Sequence, residues 1–139
     1  MLSFGKERFV GFAKQFGAVL VVFGLMGCAG TVIKTEAPQD VVAKKAQSRW
    51  DALIKGDLDT AYTSLSSGTR SVMSLELYKA KIRTGRWKRA SVGSVACVQD
   101  RCDVVIMMEY SYRDMKSIET RLDEIWLQEN GDWWHVPNK

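Results

Sequence analysis

The feature that most restricts the fold of this 139-residue chain is a change in the spacing of its apolar side chains near Gly85. Between residues 39 and 82 the apolar positions recur every three or four residues, which is the spacing of helices with one buried face. After residue 86 apolar and polar positions alternate, which is the spacing of half-buried strands. Helices followed by antiparallel strands predict an α+β domain, with the helices packed on one face of a curved antiparallel sheet.

The helical half contains three predicted helices. The first covers residues 39–55 and stops at Gly56. A second covers residues 58–65, and a Ser-Ser-Gly run ends it. Ser74 caps a third helix, which closes before Gly85.

The second half contains four predicted strands, over residues 87–98, 102–112, 118–127 and 133–136. Gly93 predicts a kink in the first strand, because a glycine inside a strand marks a bulge or a close approach of backbone. Asn130-Gly131 is the dipeptide typical of a tight hairpin turn. The short links predict an antiparallel meander.

The N-terminus has the pattern of an export signal. Three basic side chains are followed by an uncharged apolar run over residues 16–27. A permanent membrane helix needs about 20 apolar residues, so this shorter run predicts a secretory signal over residues 1–27. A short tether over residues 28–39 and a single domain over residues 40–139 complete the predicted organisation.

The end of this segment, Leu25-Met26-Gly27-Cys28, resembles the lipobox of bacterial lipoproteins. The resemblance implies cleavage before Cys28 and acylation of that residue, with palmitate-like chains that hold the protein to a membrane. Ala29 stands where an Asp would retain a lipoprotein in the inner membrane. In a Gram-negative cell the resemblance therefore implies anchoring at the periplasmic face of the outer membrane.

If Cys28 carries the lipid, one pair of cysteines remains, Cys97 and Cys102. Their spacing between two alternating runs suits a structural disulfide across a hairpin. A metal site or a redox dithiol would need a second ligand pair or the Cys-x-x-Cys spacing, and the sequence has neither.

A resemblance to a known superfamily rests on the stretch from Trp50 to Tyr62, where a long helix ends at a Gly-Asp step and the next helix carries an Ala-Tyr pair. With the Ser74 helix and the segment 129–134, it is similar to nuclear-transport-factor-2-like (NTF2-like) domains, which include SnoaL and ketosteroid-isomerase-like proteins. The resemblance implies a cystatin-like cone whose sheet curls around the long helix and leaves an apolar pocket. Because this superfamily includes isomerases, dehydratases, secretion-system parts and binding domains, the fold does not select a function.

Several classes of chemistry lack their sequence signatures. The chain has no P-loop, no glycine-rich nucleotide fingerprint and no Gly-x-Ser-x-Gly nucleophile elbow. His135 is the only histidine, so we expect no metal site and no cofactor. From Cys28 onward the chain has 17 basic and 15 acidic residues, so the pI of 9.0 is no evidence for a nucleic-acid partner.

Aromatic side chains supply the candidate pocket residues, which are Tyr62, Tyr110, Trp126 and Trp134. Trp133 and Trp134 point to opposite faces of the last strand, so one of them is free to line a pocket mouth. An enzyme on this fold would need a carboxylate base and neutral donors, and its candidates are Asp103, Glu124, Tyr62, Tyr110, Tyr112 and His135. None has a spacing specific to that chemistry, so no catalytic residue is assigned.

Positions 79–89 carry six basic residues and no acidic one, namely Lys79, Lys81, Arg83, Arg86, Lys88 and Arg89. This composition is typical of a solvated helix end and a protected edge strand. With Trp87 among them, it is equally typical of a surface that contacts an anionic polymer. Because export argues against nucleic acid, the anionic partner would be phospholipid headgroups, lipopolysaccharide or cell-wall polymer.

The sequence as a whole favours a non-enzymatic envelope lipoprotein that binds a small apolar ligand or a partner protein. Two alternatives stay open: a small-molecule isomerase or dehydratase with Asp103 or Glu124 as base, and an accessory component of a secretion or envelope-assembly machine. A buried carboxylate facing the cavity would favour the enzyme, and an exposed apolar patch of several hundred Å² would favour the assembly component.

Overall fold

The computed structural model describes residues 35–138, in which four helices precede four strands. The helices are α1 (Pro38–Lys55), α2 (Leu58–Thr63), α3 (Ser67–Val72) and α4 (Leu75–Lys81). The strands are β1 (Trp87–Val98), β2 (Arg101–Tyr112), β3 (Met115–Glu129) and β4 (Asp132–Val136). The α+β class predicted from the change of period is confirmed. The predicted signal segment, residues 1–27, and the lipid-attachment residue Cys28 lie outside the described residues.

Helix α1 is the long helix on which the sheet packs. Pro38 occupies its first turn, where a missing backbone N–H costs nothing. Gly56 ends it in the left-handed conformation (φ 78°), which glycine adopts without steric penalty, and its N–H donates to the Leu53 carbonyl at 3.2 Å. Its buried face includes Val42 and Ala46, which have no exposed surface.

Helix α3 was not predicted from the sequence, where the Ser-Ser-Gly run was interpreted as a stop. The structure uses Ser66 as an N-cap instead, because its hydroxyl oxygen accepts the Thr69 N–H at 3.2 Å. The Ser66 N–H in turn donates to the His135 carbonyl at 2.9 Å, which ties this cap to the last strand. The same serine therefore ends one segment and starts the next helix.

The four strands form an antiparallel meander in the order β1-β2-β3-β4. The predicted kink lies at Gly93, where the β1–β2 register shifts between Val92 and Ser94. A Cβ at Gly93 would stand 3.3 Å from the Met107 side chain, so the close approach explains the glycine. Asn130 and Gly131 form the last turn with φ of 54° and 81°, as the dipeptide predicts.

The core lies between α1 and the inner face of the sheet. Its largest fully buried members are Trp126, Leu53, Leu65, Ile106, Val42 and Val104. Trp50 of α1 meets Trp87 of β1 edge to face, with ring centroids 5.4 Å apart. Among residues 35–138 we find no helix both long enough and apolar enough to span a membrane.

Cys97 and Cys102 face each other across the β1–β2 hairpin, with their sulfur atoms 1.96 Å apart. The pair therefore lies at disulfide distance, as the spacing predicts. Cys102 is fully buried and is the cross-strand partner of Trp126, so the bridge is continuous with the core.

Reducing the Cys97–Cys102 bridge should lower the melting temperature of residues 34–139 without unfolding the domain. A loop this short contributes about 2 kcal/mol by chain entropy, or roughly 10 °C in a domain of this size. The measurement is a thermal melt with and without dithiothreitol. A Cys97→Ala/Cys102→Ala variant serves as control and should melt at the same temperature in both buffers. An unchanged melt of the parent would contradict a stabilising bridge.

Candidate functional site

A buried ion pair joins α1 to the inner face of the sheet. The Arg49 guanidinium donates to the Glu124 carboxylate with 2.7 Å between Nη1 and Oε1. The side chains are only 8% and 3% exposed. Glu124 points inward because it is the cross-strand partner of Val104, which is buried on the same face.

Two indoles complete the surroundings of this carboxylate. Trp50 Nε1 donates to Glu124 Oε1 at 2.9 Å, and Trp126 Nε1 donates to Oε2 at 3.2 Å. With Arg49, three donors engage the two oxygens, which offsets the cost of removing the charges from water. Glu124 is therefore a buried carboxylate whose hydrogen-bonding capacity is committed to the protein itself.

His135 stands beside this pair and is uncharged. Burial and the nearby Arg49 charge lower the pKa of His135 from 6.5 to about 2. Its Nε2 lies 3.8 Å from Glu124 Oε1, a distance at which a carboxylate would normally favour the imidazolium. Arg49 already neutralises that carboxylate at closer range, so the loss of hydration outweighs the attraction.

Three buried polar atoms around the ion pair have no hydrogen-bond partner within residues 35–138, namely Arg49 Nε, Tyr78 Oη and His135 Nδ1. Tyr78 comes from α4 and is 2% exposed. Its burial raises the pKa of the phenol, against an opposing effect of Arg49. Unpaired polar atoms are uncommon in protein interiors, so this cluster differs from an ordinary apolar core.

An open cleft of about 320 Å³ lies between α1, α2 and β4, next to the ion pair. We call it the Trp134 cleft, and it is lined by Lys45, Ser48, Arg49, Thr60, Thr63, Ser64, Trp126, Trp133 and Trp134. Trp126 and Trp133 are buried and close its inner side, whereas Trp134 is half-buried. Trp134 is therefore the one indole of the cleft that is partly exposed to solvent.

Two cations lie over the Trp134 ring. Lys45 Nζ and the Arg70 guanidinium carbon are each 5.2 Å from the ring centroid. Lys45 also pairs with Asp132 at 2.6 Å, and this contact is the main cause of the lowered pKa of the Asp132 carboxyl. Arg70 has no acidic partner within 4.0 Å in the described part of the chain.

Hydroxyl groups of α2 and of Ser64, the residue that ends it, form another wall of the cleft. Thr60, Thr63 and Ser64 donate their hydrogens to Asp57, the Thr60 carbonyl and the Ala61 carbonyl, at 2.6–2.7 Å. Because these hydrogens are used, the wall presents oxygen lone pairs as acceptors. The cleft thus combines the Trp134 ring, the Lys45 cation and a row of acceptors, and Arg70 contacts the Trp134 ring from outside the cleft lining.

The four predicted pocket residues do not share one pocket. Trp126 of β3 and Trp134 of β4 line the Trp134 cleft. The Tyr62 hydroxyl donates to the Met73 carbonyl at 2.8 Å, and its ring packs on Tyr78, so that residue belongs to the helix packing. Tyr110 pairs with Ile118 on β3 and does not line the Trp134 cleft.

The predicted enzymatic groups are also dispersed. Asp103 is exposed and pairs with Arg101 at 2.6 Å, and Tyr112 is 41% exposed. Glu124 and His135 do lie together in the interior, although Arg49 stands with them. Within residues 35–138 no group of three potential metal ligands occurs. The sequence analysis missed Arg49, Lys45 and Arg70, because a basic residue on an amphipathic helix has the same pattern whether it pairs or is solvated.

Comparisons with known proteins define the fold. A SEC-C motif-containing protein from Rhodopseudomonas palustris is similar with a TM-score of 0.54 and 13% identity, over 67% of this chain and 73% of that one. A second SEC-C motif-containing protein, from Psychrobacter arcticus, has a TM-score of 0.58 and 9% identity, over 75% of this chain and 63% of that one. A designed NTF2-like protein has a TM-score of 0.50 and 14% identity, over 69% of this chain and 93% of that one.

At these identities the similarity shows the fold alone, and the NTF2-like architecture expected from the sequence is confirmed. No family model matches the chain, and no curated protein matches its sequence.

Neutralising Glu124 should strongly destabilise the domain. Glu124→Gln keeps the shape but leaves the Arg49 charge buried without a counter-charge, at a cost of about 3–5 kcal/mol. Urea unfolding at pH 7 measures the effect. Asp123→Asn is the matched control, because its carboxylate is exposed on the same strand and should matter little. Adding Arg49→Met to Glu124→Gln should restore part of the loss, and a Glu124→Gln cost below about 1 kcal/mol would show that the pair is dispensable.

Acid should destabilise the domain through His135. The folded pKa lies below the unfolded value, so the unfolded state binds the proton first and stability is lost as pH falls below 6.5. Between pH 7 and pH 5 the free energy of unfolding should fall by about 2 kcal/mol.

His135→Gln should remove most of this dependence, and urea unfolding at the two pH values measures it. Since the chain has one histidine, its imidazole NMR signals report the group directly and should stay those of the neutral form to pH 4. A midpoint near 6.5 in the folded protein would contradict the buried, neutral imidazole.

Proposed function

We propose that this chain is a non-enzymatic binding protein of the bacterial cell envelope, anchored by lipid at Cys28, whose domain holds a small ligand in the Trp134 cleft. The observation that carries the proposal is the half-buried Trp134 ring beside Lys45 in a cleft of about 320 Å³. This volume falls at the lower end of small-molecule sites.

The interior argues for binding over catalysis. Proton transfer on this fold would need a carboxylate free to accept a proton from a substrate. Both Glu124 oxygens already accept hydrogen bonds from Arg49, Trp50 and Trp126. Asp103, the other candidate base, lies on the solvent side of the sheet.

The ligand that fits the cleft is small and amphipathic. A planar or apolar group would pack against Trp134, an anionic group would meet Lys45, and hydroxyl or amine donors would meet the oxygens of Thr60, Thr63 and Ser64. This description differs from the apolar ligand expected from the sequence. The reason is that Trp50 and Trp126 are buried inside the sheet, and the Trp134 cleft carries charged and hydroxyl side chains beside its aromatic ones.

The anchor rests on residues outside the described part of the chain. Leu25-Met26-Gly27-Cys28 supports it by its resemblance to a lipobox. The Cys97–Cys102 pair adds support, because disulfides persist in oxidising compartments such as the periplasm.

Intact-mass measurement of the full chain expressed in a Gram-negative host tests the anchor. We expect a membrane-bound product that begins at Cys28 and carries the mass of a diacylglyceryl group and an added acyl chain. A Cys28→Ala variant should stay at the mass of the uncleaved chain. A soluble product cleaved at another residue, without lipid mass, would contradict the anchor.

Native mass spectrometry tests the cleft. Residues 34–139, exported through an ordinary cleavable signal and purified without reductant, should carry a constant added mass on the monomer. Ser48→Phe places a ring in the cleft from an exposed position of α1 and should abolish that mass. Ser94→Phe makes the same change at an exposed position of β1, away from the cleft, and should retain it.

A bare mass in all three proteins would contradict the small-ligand part of the proposal. Attention would then move to a partner protein at the apolar groove between α3 and the ends of β3 and β4, where Val72 is 80% exposed. Crosslinking in intact envelopes would identify such a partner.

A further inference from the structure

Two segments that are distant in sequence meet at one end of the sheet. The Ser111 N–H donates to the Arg86 carbonyl at 3.0 Å, and the Lys88 ammonium donates to the Lys116 carbonyl. The chain entering β1 therefore lies beside the β2–β3 turn at residues 113–114. Basic residues that lie about 25 positions later in the sequence are therefore next to the basic run at positions 79–89.

The joined segments present five exposed cations, which are Arg83, Arg86, Lys88, Arg113 and Lys116. Within residues 35–138 none of the five has a carboxylate within 4.0 Å. Asp114 is the one acidic residue in segments 82–89 and 112–116. This end of the sheet therefore has a net positive charge that the protein leaves unbalanced.

The outer face of the sheet shows the opposite arrangement. Arg101 pairs with Asp103 at 2.6 Å, and Arg121 pairs with Asp123 at 2.8 Å. In both pairs the acidic residue stands two positions away on the same strand, and Arg89 pairs with Glu109 across the β1–β2 ladder. Single unpaired cations occur elsewhere in the described residues, as at Arg70, but five of them are concentrated at this end of the domain.

Two apolar side chains stand among these cations. Tyr112 and Met115 are cross-strand partners that close the β2–β3 turn, and they are 41% and 55% exposed. Arg113 holds the turn in the left-handed region (φ 50°), an uncommon conformation for a residue with a side chain. Its guanidinium lies 5.2 Å from the Tyr112 ring centroid, so the aromatic ring and the charge are displayed together.

We propose that this surface docks the domain on an anionic phospholipid membrane, with Tyr112 and Met115 entering the headgroup interface. We call it the basic tip, defined as Arg83, Arg86, Lys88, Tyr112, Arg113, Met115 and Lys116. The five cations supply attraction to lipid phosphates, and each basic residue near such a surface strengthens binding about fivefold. Tyrosine is a side chain that membrane interfaces favour, because its ring is apolar and its hydroxyl stays hydrated.

The apolar pair distinguishes a membrane from a soluble polyanion. A polymer in water would contact the cations and gain little from exposed Tyr112 and Met115 side chains. A lipid surface uses both, since long basic side chains reach the headgroups while apolar ones enter beneath them. The basic tip therefore fits phospholipid better than a cell-wall polymer.

This proposal is independent of the Trp134 cleft and of the lipid at Cys28. Residues 34–139 contain the whole core described above and form one compact unit, so the unlipidated domain is a suitable test protein. The cleft residues are not part of the basic tip, so failure of one proposal leaves the other standing.

Co-sedimentation with vesicles tests the basic tip. Residues 34–139 should bind vesicles of phosphatidylglycerol and phosphatidylcholine, bind pure phosphatidylcholine vesicles at least tenfold more weakly, and lose affinity as salt rises. Arg83→Gln/Arg86→Gln/Lys88→Gln should weaken binding about a hundredfold. Tyr112→Ser/Met115→Ser should weaken it about tenfold. Thermal melts check that every variant is folded.

A matched control separates the basic tip from overall charge. Lys44→Gln/Arg101→Gln/Arg121→Gln also removes three positive charges, but from exposed positions outside the basic tip. It should change vesicle binding less than threefold. Equal losses in both triple variants would overturn the proposal. Equal binding to both kinds of vesicle would also overturn it. Vesicle binding that is unchanged in Tyr112→Ser/Met115→Ser, together with equally strong binding to dextran sulfate, would overturn it as well and would indicate a soluble polyanion as the partner.

Discussion

The buried pair between Arg49 and Glu124 is the contact on which the rest of this domain depends. It joins the long helix to the third strand across 75 positions of sequence. Burying two charges is costly, so they stay only because the indoles of Trp50 and Trp126 satisfy the carboxylate as well. One carboxylate thereby fixes two of the largest side chains in the core, while burial and the Arg49 charge keep the neighbouring imidazole of His135 uncharged.

Because this pair and the indoles bonded to it occupy the interior, the domain has to bind other molecules at its edges. On a cone-shaped fold the inner face is the expected place for a ligand, yet here that face holds Trp126 and its hydrogen-bonded neighbours. What is left is the margin: the Trp134 cleft at one edge and the basic tip at the end of the β2–β3 hairpin. Both combine aromatic and cationic side chains, and both are shaped by contacts between segments far apart in sequence.

The sequence was informative where one local pattern decides the structure. The change of period at Gly85, the kink at Gly93 and the Asn130-Gly131 turn all follow from local rules and are found as predicted. Patterns that depend on long-range partners were not visible. Arg49 looks like any polar residue on an amphipathic helix, and nothing near it in the chain indicates Glu124.

Helix α3 and the predicted pocket residue Tyr62 show the same limit. Ser66 acts as a cap because the His135 carbonyl receives its N–H, and Tyr62 turns toward the Met73 carbonyl and away from the Trp134 cleft.

The position of the ion pair along α1 also affects how the domain responds to mechanical load. Any force applied ahead of Pro38 enters the domain along α1, and the Arg49 contact lies roughly 16 Å further along that axis. The first turns of α1 are therefore expected to separate from the sheet under tension before the ion pair does.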